Sequence, residues 1–101
     1  MYKKQKSISE YKINENFKDV FVVRFTKEIK PTKTGKYYFE IKIQDANGDA
    51  MLKYWGSSDL KKVEEIYNQI KEDTVIYVEG STSEYNGKID FSTNENLKVL
   101  T

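Results

Sequence analysis

"YYFEIKIQDANGDAMLKYWG", residues 37–56, reads as two strands around a turn, and the rest of the fold is built out from it. Tyr37, Phe39, Ile41 and Ile43 alternate with Tyr38, Glu40, Lys42 and Gln44, the period of two expected of a half-buried strand with the first set inward. Asn47 and Gly48 tolerate the positive φ of a type I′ turn, so residues 50–55 are expected to run back antiparallel to that strand. In the return strand, parity sends Leu52 and Tyr54 one way and Met51, Lys53 and Trp55 the other. With Leu52 and Tyr54 in the core, the only tryptophan shares an outward face with Lys53, beside Tyr38 and Lys42 of the paired strand. The competing reading packs Trp55 beneath the helix predicted three residues later.

Upstream, "DVFVVRFTK" at 19–27 predicts a first strand, with Phe21, Val23 and Phe25 inward and Val20, Val22, Arg24 and Thr26 outward. "EIKPTKTGK" at 28–36 holds the only proline and a Gly-Lys pair, which predicts a polar loop. Downstream, Leu60, Val63, Ile66, Tyr67 and Ile70 recur at helical spacing, so a helix is expected over 59–71 with Ser58 as its N-cap. Residues 74–80 and 88–92 are two further strands, joined by "STSEYNG" with a second Asn-Gly pair, and Gly80 is read as the end of the first. Ile8, Tyr11, Ile13 and Phe17 are expected to cover one end, and 97–100 to extend or cap the last strand.

This order leaves little room for parallel crossovers, because only one helix separates any pair of strands. The expected fold is all-β, a small α+β variant: a five-stranded Greek-key barrel with one helix between strands three and four. That is the OB architecture, which binds oligonucleotides and oligosaccharides through strands two and three and the loops after strands one and four.

The 101 residues suffice for one modest core, expected as a single domain over 8–101 behind a basic flexible tail at 1–7. With no cysteine and no histidine, disulfides, thiol nucleophiles, zinc-type clusters and histidine-dependent acid–base chemistry are removed. No nucleophile–base set or compact carboxylate cluster stands out, so the expectation is no enzyme, no cofactor and no metal. Nothing reaches the apolar length of a membrane span or has the apolar stretch of a signal peptide. A cytoplasmic location follows as the expectation, nucleoid-associated in a prokaryote, with no membrane partner. The net charge of +1 hides an uneven distribution: five basic residues against Glu28 alone over 24–36, and six acids against three lysines over 57–80.

Residues 34–56, together with "VIYVEGSTSEYNGKIDFS" after the helix, resemble the single-stranded-DNA-binding OB domains of replication protein A over roughly residues 18–100. The specific elements are the Asp45 to Gly48 turn, the Trp55-Gly56 pair, Gly80, and Tyr85 before Asn-Gly. The resemblance implies that aromatics at the Trp55 and Tyr85 positions stack on bases and that the loop after strand one clamps the nucleic-acid backbone. Related signatures occur in OB domains of 3′→5′ exoribonucleases and in anticodon-binding domains of aminoacyl-tRNA synthetases. The chain departs from replication protein A in a longer, more acidic segment at 57–73 and in having no zinc-binding cysteines.

The candidate nucleic-acid-binding set is therefore Trp55, Tyr85, Tyr38, Lys53, Lys42, Arg24, Lys33, Lys36 and Lys88. Every base has a π-face, so aromatic stacking with lysines along the backbone predicts binding of single-stranded DNA (or RNA) with weak sequence preference, in replication, repair or recombination. The bland alternatives are a tyrosine lying on its own hairpin at Tyr85 and solvated lysines in the 28–36 loop. Phe91 shares parity with Ile89 and is read as core. The helix at 59–71 is a solvated face or, alternatively, an acidic dock for a basic protein. The other functional readings are an RNA-binding accessory domain of a nuclease or tRNA-related enzyme, and an OB fold reused for protein contact.

Overall fold

Alternating burial runs through an 11-residue first strand, β1 (Asn16–Thr26), and sets the curvature of the molecule, a computed structural model that describes residues 3–100. Phe17, Asp19, Phe21 and Val23 point inward, and over Asn16 to Val22 the strand pairs antiparallel with β5 (Val75–Tyr85). From Val22 to Thr26 it pairs instead with β3 (Tyr37–Asp45), and the register slips between Val23 and Phe25. Arg24 is the extra residue of a bulge, which bends the strand from one neighbour to the other. The slip reverses parity beyond Arg24, so Phe25, expected in the core, lies outward and is 49 % exposed.

The ring continues from β3 to β4 (Gly48–Trp55) and β6 (Lys88–Thr93), then back to β5 and β1, closing a five-stranded barrel. Its closure is a parallel pair, β4 with β6, that the chain order did not lead us to expect; the long excursion through the helix and β5 supplies the crossover. Two short strands are added to the five expected: β2 (Lys30–Pro31), inside the predicted loop, pairs with β3, and β7 (Leu97–Val99) pairs with β5.

Phe39, Ile41, Ile43, Leu52 and Phe91 fill the interior as the alternation predicted, joined by Ile76 and Val78 of β5. Phe91 sits at the centre of an edge-to-face cluster, 5.3 Å from Tyr11, 5.2 Å from Phe17 and 5.9 Å from Phe21. A 3-10 turn (Ile8–Glu10) and Tyr11 close that end, whereas Ile13, expected with them, is 44 % exposed beside Asn14, whose φ of 62° turns the chain away.

The other end is covered by α1 (Leu60–Tyr67), shorter than the expected 59–71 and capped by the Asp59 side chain, which accepts from Lys62 N–H, rather than by Ser58. Val63 is buried and the Tyr67 ring stands 5.0 Å from Phe39, but Leu60 is partly exposed. Ile70 is buried from the turns beyond the helix, and its amide donates to Tyr67 O. Among the described residues no helix is long and apolar enough to cross a membrane.

Two turns differ from expectation. The 45–48 hairpin turns through Ala46 and Asn47 without positive φ at Asn47 or Gly48; Asp45 Oδ1 accepts from the Asn47 amide at 2.8 Å and holds the turn. Asn86 and Gly87, at φ 52° and 78°, make the left-handed pair instead. "STSEY" is strand and not loop, and β5 runs straight through Gly80. A Cβ there would fall inside the Ser92 carbonyl.

Of the segment expected as a tail, residues 1 and 2 lie outside the described residues, and from Gln5 onward its backbone is engaged. Gln5 and Lys6 amides donate to the Asp19 carboxylate at 2.9 and 3.3 Å, and Lys4 Nζ lies 3.1 Å from it. The Tyr11 hydroxyl donates to the same completely buried carboxylate at 2.6 Å.

Candidate nucleic-acid interface

Strands β3 and β4 present one continuous outward face, because directly opposed residues of an antiparallel pair project to the same side. Tyr38 opposes Trp55, Glu40 opposes Lys53 and Lys42 opposes Met51. Trp55 is 38 % exposed, and its ring lies 4.9 Å from that of Tyr38 at an interplanar angle of 31°. Gly56 makes this possible. A Cβ on it would stand 2.6 Å from Val63 Cγ2 and 2.9 Å from Tyr37 O, so its absence lets the helix close onto the barrel end while the indole stays outside.

Tyr85 ends β5 opposite Lys88 and is 60 % exposed. It lies beside the left-handed turn and not at a loop tip as expected. Lys53 Nζ sits 4.9 Å from its ring centroid, a cation–π contact that covers one face of the ring, and also 3.3 Å from Asp90 Oδ2. Lys42, Tyr85 and Lys88 line an open cleft of about 650 Å³ between β4 and β6. The structure therefore brings together Trp55 with Tyr38, Lys53 with Tyr85, and Lys42 with Lys88.

Lys33 and Lys36 lie in the 32–36 turn, where the Thr32 amide donates to Lys36 O at 2.7 Å and Gly35 adopts φ 82°. Pairing of Lys30 with Tyr38 sets this loop beside the Tyr38–Trp55 end of the face. Arg24 stands apart, on the bulge, 3.9 Å from Asp73.

Two residues on this face escaped the sequence reading. Phe25 opposes Lys42, so the bulge adds a third exposed aromatic to the surface of Trp55 and Tyr85. A bulge has no local signal here, and strict alternation argued against it. For Asp90 a signal did exist: with Phe91 in the core, parity sends Asp90 to the outer face.

The lysines at the middle of the face are paired: Lys42 with Asp49 at 3.2 Å, Lys53 with Asp90, and Lys27 with Glu40 at 3.3 Å. Among the described residues Lys30, Lys33, Lys36 and Lys88 have no carboxylate partner, so the uncompensated positive charge lies at the two margins. Aromatic rings between paired charges, with free cations on either side, suit a ligand that is flat and apolar along its middle and anionic along its edge.

A family model described as an OB-fold nucleic acid binding domain matches residues 20–99. Among solved structures, a domain of replication protein A from Methanococcus maripaludis superposes with a TM-score of 0.72 at 18 % identity, covering 94 % of this chain and 93 % of that one. The p204 HINb domain gives a TM-score of 0.68 at 12 % identity, covering 94 % of this chain and 46 % of that one. At these identities the likeness is one of fold. No curated protein sequence matches the chain.

Proposed function

Because the chain belongs to the OB-fold nucleic acid binding domain family, we propose that it binds single-stranded nucleic acid, DNA in preference to RNA, by stacking bases on Trp55, Tyr85 and Phe25 while marginal lysines hold phosphates. The observation that carries this reading is the exposed Trp55 on the β3–β4 face, backed by Tyr38 and sharing that face with Lys53. An indole kept out of a nearby core has free apolar area that a base can cover, at about 1–3 kcal/mol per stacked base. The fold likeness to a replication protein A domain supports DNA, and a role in replication, repair or recombination; binding proceeds without catalysis.

Titration with single-stranded DNA, RNA of the same sequence and duplex DNA, followed by Trp55 fluorescence and a parallel mobility assay at two salt concentrations, tests it. Quenching by single strands that weakens with salt is the expected result. Tighter binding of RNA than DNA would replace DNA by RNA as the ligand. Silence in both assays would favour a protein-contact surface, with the segment at 59–71 the place to look.

A further inference from the structure

Strands β4 and β6 are hydrogen-bonded over only three Cα pairs, Leu52 with Phe91, Lys53 with Ser92 and Tyr54 with Thr93. Both begin earlier, at Gly48 and Lys88, so their first halves splay apart and leave the cleft of about 650 Å³. That volume lies within the range of small-ligand sites. Met51 and Ile89 give it an apolar lining, Tyr85 and Lys88 stand on its rim, and Asp90 lies among them.

A carboxylate is out of place in a site that only holds phosphates, because it repels them. Asp90 is an acceptor with no donor of its own, and its side chain is 19 % exposed. Lys53 takes up only part of the capacity of Oδ2, and no hydrogen bond from the described residues reaches Oδ1, so both oxygens can still accept. What a DNA strand can offer such an oxygen is a base N–H. Guanine presents two adjacent donors, N1–H and N2–H₂, on one edge. Thymine and uracil present a single N–H between two carbonyls, and in adenine and cytosine the amino group adjoins a ring-nitrogen acceptor that faces the carboxylate unfavourably.

Resting on the single-strand reading above, we propose that this cleft takes one unstacked guanine, its Watson–Crick edge on the Asp90 carboxylate and its ring against Tyr85. The proposal adds a preference for one base to a surface otherwise tolerant of sequence. A two-donor contact of this kind corresponds to a discrimination of at least about fivefold.

The test measures fluorescence anisotropy of labelled DNA strands: all thymine, the same strand with one central guanine, and the same with inosine in place of guanine. Inosine keeps N1–H and O6 and lacks only the 2-amino group. The wild-type protein is expected to bind the guanine strand at least about fivefold more tightly than the thymine strand, with inosine losing most of that gain. In Asp90→Asn, with an unchanged circular dichroism spectrum, the guanine-to-thymine ratio is expected to fall to about one. Equal wild-type affinity for all three strands would overturn the guanine site while leaving single-strand binding standing. A preference that survives Asp90→Asn would overturn the assignment to Asp90. The inosine comparison uses only the wild-type chain and holds even if the variant misfolds. Absence of binding to every strand would overturn the underlying reading, and this proposal with it.

Discussion

Trp55 and Gly56 act as a pair: the glycine admits the helix against the barrel end, and the tryptophan turns outward beside it. Removing the indole therefore removes surface and leaves the core intact. Trp55→Ala is expected to weaken binding of single strands by about 1–3 kcal/mol per stacked base, with a melting temperature close to wild type. Isothermal titration and thermal denaturation on the same preparation check both halves, and lost folding would show the indole to be structural. Gly56→Ala should do the reverse, lowering stability by about 1–3 kcal/mol through the clash with Val63 and the Tyr37 carbonyl. Phe25→Ala tests the residue that the bulge adds: with about half its surface already in water, its loss is expected to cost binding and little stability.

Two segments outside the barrel strands carry separable roles. The 28–36 loop presents Lys33 and Lys36 without carboxylate partners, so a double replacement by alanine should flatten the dependence of log K on log salt by about 1.4, each phosphate contact on a single strand releasing roughly 0.7 counterion. An unchanged slope would take that loop out of the interface. The segment from Lys4 to Lys6 closes over Asp19. Burial pushes the Asp19 carboxyl pKa up, but hydrogen bonds from the Tyr11 hydroxyl, the Gln5 and Val20 amides and Lys4 outweigh it and hold the group below its ordinary value of 3.8. A folded-state pKa below the unfolded one means that the contribution is present above the ordinary carboxylate range and is lost as the pH falls through and below it. Tyr11 moves the other way, through burial first and then its bond to Asp19, and so stays a donor. Asp19→Asn is expected to lower the melting temperature at neutral pH and to flatten its fall in acid, as followed by circular dichroism from pH 7 downward.

Across the molecule, charge is arranged by cancellation. Lys27, Lys42 and Lys53 each face a carboxylate on the outer surface of the sheet, whereas Lys30, Lys33, Lys36 and Lys88, the lysines proposed to meet phosphates, have no carboxylate partner among the described residues. Four such contacts give a salt slope of roughly 3 at most for a single strand, modest for a nucleic-acid binder, so stacking should dominate affinity. Affinity measured across a series of potassium chloride concentrations checks this; a much steeper slope would mean that the paired lysines exchange their carboxylates for phosphates. The barrel itself depends on β5, which bonds to β1, β6 and β7 in turn. Gly80 lies where β1 and β6 both approach β5, and Gly80→Ala is expected to destabilise the whole fold rather than one site.

The inward sets of β3 and β4, the position of the helix between β4 and β5, and the outward parity of Tyr38, Lys53 and Trp55 were legible in the chain, because alternation about a buried face is a local property. The same logic misplaced Phe25, since a one-residue slip at Arg24 depends on β1 having to leave β5 for β3. Tyr85 as a strand residue, the splay that opens the cleft beside Asp90, and the capture of residues 4–6 by Asp19 are likewise contacts between distant segments. Local pattern decided which residues face the core; closure of the barrel decided which surface residues became neighbours, because only closure fixes where strands remote in sequence meet and where they part.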